Sequence, residues 1–273
     1  MDFYDFWKKE YDIDSKYKLK GFSRGSLRTG FMLLPCKIFL DAGVPTPIKP
    51  SVILITHGHQ DHIDSLYNHL LDTNEMVQVI GSNNLINNLK NYLNSCRSLN
   101  VGYKIKFNNW IPTPIIKNLT IVSNNTKYNV ESIYLNHEVE CFGYGLSEIR
   151  NKLKEEYKDY TSYEIQQAKK EFQITEEKLY PILFFCGDMD HSSLTNLPFD
   201  IYPIFIIECT FFEDDHLKEA RYRQHLHIQD LIPYFAKHQN TKFILIHFSC
   251  RYTNTQVKEF ENKYNFVNVI FWI

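Results

Sequence analysis

No stretch of this 273-residue chain approaches the length of an apolar membrane span, and Met1 to Glu10 mix Asp, Phe, Lys and Glu without an apolar core. Neither a cleaved secretion signal nor a membrane anchor is expected from such a start. The six cysteines, Cys36, Cys96, Cys141, Cys186, Cys209 and Cys250, include no CxxC pair, and Cys186 and Cys209 sit in or beside apolar runs. They predict reduced, mostly buried thiols in a soluble intracellular protein of the cytoplasm or nucleus, not a disulfide framework.

Excess charge of one sign is lacking too. The net charge of −2 demands no polyanionic partner overall. Locally the balance differs: Met76 to Val130 holds no Asp or Glu but carries Lys90, Arg97, Lys104, Lys106, Lys117 and Lys127, and a second basic bias covers Lys8 to Arg28. Such segments either guide a nucleic acid or form a solvated surface. Gly/Ser linkers and tandem repeats are also missing, so one domain spanning 1–273 is expected.

Short apolar runs mark the candidate strands: Ile38 to Leu40, Val52 to Ile55, Ile133 to Leu135, Ile182 to Phe185, Ile204 to Ile207 and Phe243 to Ile246. The last five are each followed within two or three residues by a group able to bind metal or move a proton: His57, His137, Asp188, Glu208 and His247. Layered α/β folds gather their chemistry at strand ends, so these coincidences predict one catalytic edge. Leu85, Ile86, Leu89, Tyr92 and Leu93 keep helical spacing through the Asn-rich stretch Asn83 to Asn94, and Ile63, Leu66 and Leu70 predict a helix after the histidine cluster. Between Gly145 and Pro181 neither Gly nor Pro occurs, and the Lys/Glu/Gln/Tyr composition predicts an exposed helical region.

The densest signal is His57, Gly58, His59, Gln60, Asp61 and His62, three imidazoles and a carboxylate directly after an apolar run. A buried strand cannot hide four such groups without a partner. The HxHxDH pattern supplies enough N and O donors for two borderline cations rather than one, which makes a two-metal hydrolase the leading expectation.

Taken together and in order, THGHQDH (Thr56 to His62), NHEVECFGY (Asn136 to Tyr144), FFCGDMD (Phe184 to Asp190), IIECTF (Ile206 to Phe211), QHLH (Gln224 to His227) and IHFSCRY (Ile246 to Tyr252) resemble the metallo-β-lactamase superfamily, and within it the ribonuclease Z group. The resemblance implies an αββα four-layer sandwich. It implies that His57, His59 and His137 hold one metal, that Asp61, His62 and His247 hold the other, and that Asp188 bridges them. The cofactors implied are two divalent ions, most simply Zn2+, with Mn2+ or Fe2+ compatible with the same ligands. Asp61 is also expected to share in catalysis, Glu208 and His225 form the implied proton-donating pair, and His227 and Arg251 are the expected substrate contacts.

The implied activity is that of a phosphodiesterase and endoribonuclease on pre-tRNA 3′ trailers, with a homodimer as the implied assembly and no membrane partner. Four departures stand out. Ile207 and Cys209 flank Glu208 where the family has His and Ala, Leu226 follows His225 where it has Ser or Thr, and the interval from His137 to Asp188 is short for the family's tRNA-gripping arm. That last departure leaves a small-molecule hydrolase, acting on a cyclic nucleotide, thioester or lactone, as the alternative expectation.

Overall fold

The computed structural model describes residues 5–71, 75–104 and 106–273, so the sequence reading of Met1 to Glu10 falls partly outside the described residues. Its strands form two seven-stranded sheets. The first holds, side by side in chain order, β1 (Glu10–Asp12), β2 (Lys18–Arg24), β3 (Arg28–Leu34), β4 (Ile38–Leu40), β5 (Val52–Leu54), β6 (Val77–Gly81) and β7 (Trp110–Pro114). The second holds β8 (Asn118–Ser123), β9 (Thr126–Leu135), β10 (Cys141–Leu153), β11 (Thr175–Phe185), β12 (Ile204–Glu208), β13 (Lys242–Ile246) and β14 (Val269–Phe271). Both sheets start with three antiparallel pairings and finish with three parallel ones. The halves therefore share a topology that leaves no visible repeat in the sequence.

Parallel strands covered on both faces need apolar residues at every position, which is why they were legible as short runs. β5 shows the division of labour. Val52 and Leu54 face the other sheet, packing in one core with Leu19, Phe31, Val130, Leu146, Phe185 and Ile206. Ile53 and Ile55 point the opposite way, against α2 (Leu66–His69) and α3 (Asn83–Val101), in a second core with Leu66, Leu85, Ile86, Leu89 and Leu93. A third core covers the outer face of the second sheet, where Ile207, Phe243 and Leu245 meet Leu231 and Phe235 of α6 (Ile228–Lys237) and Val257 of α7 (Asn254–Tyr264). Helix, sheet, sheet and helix thus lie in four layers, the αββα sandwich. The remaining helices are short: α1 (Gln60–Ile63), α4 (Ser162–Glu171) and α5 (Leu217–Tyr222).

α3 runs well past the predicted stretch. Ser82 caps it by accepting from the Leu85 amide at 3.1 Å, and Gly102, at φ 78, closes it in the left-handed conformation that costs glycine least. The segment after the histidine cluster, by contrast, makes two single turns, α1 and α2, rather than one helix.

One expectation is overturned. Most of Gly145 to Pro181 is not helical: β10 and β11 pair antiparallel out to Leu153↔Thr175, beyond the last β9 pairing at Glu148↔Tyr128, and only α4 at the tip is a helix of any length. The result is a two-stranded ribbon standing clear of the sandwich. Its outer residues are solvated on both faces, so no apolar alternation betrays the strands, and Glu177 of β11 instead meets Lys127 of β9 at 3.0 Å. The interval from His137 to Asp188 therefore carries a projecting ribbon where an exposed helical region was expected.

Candidate metal centre

Each cluster residue leaves the end of a strand or lies in the segment that follows. His57 and His59 follow β5 and Asp61 and His62 lie on α1 directly after them, while His137 follows β9, Asp188 follows β11, and His247 follows β13. The loop after β5 is pinned by close packing. A Cβ on Gly43 would lie 1.7 Å from the Asp61 carbonyl oxygen, so only glycine allows this approach.

The seven ligand candidates converge in two groups whose ligand atoms lie within 4.8 Å of one another, His57, His59, His137 and Asp188, and Asp61, His62 and His247, and a third group of the same kind joins Asp188 and His247 to His225. Asp188 links them, its Oδ2 lying 3.7 Å from His57 Nε2 and 3.4 Å from both His62 Nε2 and His247 Nε2. Asp61 Oδ2 is 3.3 Å from His247 Nε2 and 3.7 Å from His62 Nε2. Sequence reasoning proposed these seven residues, and the fold brings all of them together.

The outward nitrogens are held by a ring of polar groups that the sequence reading missed. His62 Nδ1 meets Asp41 Oδ2 at 2.7 Å, His57 Nδ1 meets the Thr56 hydroxyl at 2.9 Å, His247 Nδ1 meets the Thr210 hydroxyl at 2.9 Å, and His137 Nδ1 donates to the Gln224 carbonyl at 3.0 Å. Asp41 also accepts from the Thr56 amide at 2.8 Å and from its hydroxyl. Partners of this kind fix ring orientation and leave the opposite nitrogen free to ligate. Asp41, Gln224 and His247 all have left-handed φ, 58, 52 and 63, a conformation that costs non-glycine residues on the order of 1 kcal/mol and that the surrounding contacts must hold. One signal could have found Asp41: it directly follows Ile38 to Leu40, the first of the six apolar runs.

The electrostatics suit cations. Burial pushes the Asp188 carboxyl up, yet His247 and His62 outweigh it and hold the group well below the usual carboxylate range. Burial likewise disfavours a charged His62, but Asp188 and Asp41 carry its pKa well above the ordinary histidine value. His57, lacking a carboxylate that close, is driven well below by burial and by His62. Nε2 of His57 and Nε2 of His62 are both buried without a hydrogen-bond partner. Such orphans are costly unless something else meets them, and imidazole nitrogens aimed at a shared carboxylate are the donor set a pair of divalent ions requires.

Beside the cluster, Glu208 is fully buried and its carboxylate is saturated: Oε1 accepts from the Met189 amide at 2.9 Å and faces His225 Nδ1 at 3.0 Å, while Oε2 accepts from the Thr210 hydroxyl at 2.6 Å and the Leu226 amide at 3.2 Å. His225 Nδ1 is also 4.0 Å from Asp188 Oδ2. Burial works against its charged form, but Glu208 prevails and pushes the pKa up to about 9. His225 and His247 line a cavity of about 210 Å³ together with Arg251 and Arg223. Glu219 holds both arginines, Arg251 through two contacts of 2.8 Å and Arg223 through one of 2.8 Å.

His227 requires a correction. The sequence placed it against substrate, but it is fully buried and both ring nitrogens are engaged. Nε2 lies 3.0 Å from the Glu213 carbonyl, and Nδ1 accepts from the Gln229 amide at 3.2 Å while Asp230 caps His227 in return. It is the N-cap of α6, a structural post, and no anion reaches those amides.

No family model matches the chain. It is 27% identical over 266 residues to tRNase Z TRZ1 of Arabidopsis thaliana, covering 93% of this chain and 92% of that one. Among solved structures it superposes on the metallo-beta-lactamase fold protein YhfI of Bacillus subtilis with a TM-score of 0.63 at 12% identity, covering 93% and 95% of the two chains. On the short form of human tRNase Z the TM-score is 0.56 at 16% identity, covering 86% and 93%. The chain is a metallo-β-lactamase-fold protein whose sequence is similar to a tRNase Z over nearly its whole length.

Proposed function

We propose that this protein is a dinuclear metal-dependent endoribonuclease of ribonuclease Z type, removing 3′ trailers from pre-tRNA. The observation that carries the reading is the coincidence at Asp188: one buried carboxylate shared by two ligand groups, with the Glu208–His225 pair on its flank. His57, His59 and His137 would hold one cation and Asp61, His62 and His247 the other, with Asp188 placed to serve both. Zinc suits these imidazole and carboxylate donors. Two such ions supply Lewis acidity toward a phosphodiester and activation of water at neutral pH. Glu208 fixes the His225 ring through Nδ1, which leaves Nε2 as the nitrogen able to protonate the departing oxygen. Arg251, at the mouth of the same cavity, exchanges Glu219 for a phosphate of the RNA.

The projecting ribbon supports RNA over a small molecule, because the small-molecule alternative leaned on the absence of an arm. β10 leaves the metal end at Cys141 and runs to Leu153, about 40 Å at strand rise, so the tip lies far from this chain's own metals. An arm so placed serves the site of a second copy, which favours a homodimer. No helix among the described residues is long and apolar enough to cross a membrane, and all six cysteines are unpaired, as fits a reducing compartment.

The deciding assay offers the metal-loaded protein a trailer-bearing pre-tRNA, bis-p-nitrophenyl phosphate and a thioester. A single cut leaving a 3′-hydroxyl on the tRNA body is expected. Rapid thioester turnover with intact RNA would overturn the reading.

A further inference from the structure

We propose that the exposed face of α3 is the track for the unpaired strand on the 5′-phosphate side of the cut, starting in a nucleobase pocket beside the metal loops. This rests on the endoribonuclease reading above.

Two cavities lie along this one helix. The nearer, about 280 Å³, is walled by Asn88, Leu89 and Tyr92 of α3 and by Gly58, Val139 and Glu140. Gly58 stands between His57 and His59, and Val139 follows His137 by two residues, so the pocket shares both loops with the metal cluster. The farther, about 900 Å³, is lined by Asn91, Ser95, Leu99, Tyr103, Lys104 and Lys106. Asn84, Asn88, Asn91 and Ser95 recur at helical spacing and are all exposed, forming one polar stripe that joins the two cavities. From Asn84 to Leu99 this stripe is about 22 Å long.

Its chemistry is that of a single-strand platform. Near the metals the floor is apolar, with Ile63, Leu85 and Leu89, and the half-buried Tyr92 offers a ring face. Asn88 brings both a donor and an acceptor, and the Glu140 carboxylate accepts from an exocyclic amine while excluding phosphate. Among the lining residues positive charge appears only at the far end, where Lys104 and Lys106 follow Tyr103, 65% exposed. Bases stacked on aromatics with phosphates on lysines are the usual arrangement for unpaired strands.

Polarity follows from the proton donor. His225 lines a cavity with His247 and Arg251, none of which lines the pocket at Gly58, and it serves the oxygen that departs. The nucleotide that keeps the phosphate therefore leaves past His59 and Val139, onto α3.

The test uses pre-tRNAs whose trailers grow from about one to six nucleotides, a span matched to single-strand sites. For the wild type, KM should fall about tenfold or more across the series, as added phosphates reach the lysines. Asn88→Asp with Asn91→Asp should flatten that dependence, and Lys104→Glu with Lys106→Glu should remove the gain from the longest trailers and lower the salt slope by about 0.7 per lysine. In both variants the loss on RNA should exceed any loss on bis-p-nitrophenyl phosphate. A 4-thiouridine placed first in the trailer should crosslink within Asn84–Tyr92. Retention of the full length dependence in both double variants, or a crosslink at Arg251 instead, overturns the track while leaving the endoribonuclease reading intact. A wild type that cuts no trailer-bearing RNA overturns both.

Discussion

Asp41 and His62 face one another at 2.7 Å, Oδ2 to Nδ1, with both side chains buried and the Asp41 backbone held at φ 58. The carboxylate sets the tautomer that leaves His62 Nε2 for a metal, and through Thr56 it also braces His57. Asp41→Asn should keep the fold yet weaken metal affinity by about 10- to 100-fold, the usual cost of losing such a partner. His59→Ala and Asp188→Ala should lose metal outright. Metal titration followed by competition with a chelator measures the difference, and an Asp41→Asn protein with wild-type affinity for two ions would show that the pairing is only structural.

Glu208 and His225 should act as one unit in proton transfer. His225→Ala should retain both metals but slow RNA cleavage by roughly 10²- to 10⁴-fold, the range for a lost general acid. Bis-p-nitrophenyl phosphate should suffer far less, because nitrophenolate departs without a proton. Glu208→Gln should behave alike, and the double variant should be little worse than either. His227→Ala serves as the contrast: with both ring nitrogens in the α6 cap, it should lower thermal stability without any leaving-group dependence. A leaving-group effect at His227 and none at His225 would reverse the assignment.

What was legible follows from what is buried twice. The inner parallel strands β4, β5, β12 and β13 are apolar almost throughout, so their ends, and the histidines and carboxylates there, could be read directly. Asp41 and Thr56 could not be recognised by type, since one Asp and one Thr in a strand-to-loop step carry no signature until the fold sets them against His62 and His57. His225 and His227 differ only in direction, which two residues of spacing cannot reveal. The ribbon was unreadable for the opposite reason: with solvent on both faces, its strands have the composition of an exposed helix.

Glu148 provides a pH test away from the metals. It anchors the base of the ribbon by accepting from Lys16 at 2.6 Å, Tyr17 at 2.7 Å and Arg150 at 2.5 Å. Burial raises its pKa, but these contacts prevail and lower it from the ordinary 4.5 to about 2. A carboxyl depressed in the folded state contributes stability that is full above 4.5 and fades as pH falls toward 2. Glu148→Gln should therefore melt below the wild type at neutral pH, with the gap narrowing as acid is added. Melting of both metal-free proteins between neutrality and pH of about 3 checks this. A constant gap would mean that the contacts do not depend on the charge.

The tip of the ribbon, with α4, can be removed without disturbing the strands, because Leu153 and Thr175 are directly paired and a two-residue Asn-Gly turn closes such a pair. The shortened protein should bind two metals and turn over bis-p-nitrophenyl phosphate normally, yet lose on the order of 10²-fold in KM for pre-tRNA, as expected when one of two linked contacts disappears. Co-expression then asks which site the arm serves. An Asp188→Ala copy with its ribbon supplies an arm but no active centre, and a shortened copy supplies the reverse. If the arm acts across a dimer, the isolated hetero-pair should recover KM for pre-tRNA at its single working site. Recovery of dimers without recovery of KM would place the arm in the service of its own chain, and a shortened protein with wild-type KM would leave it no part in substrate binding.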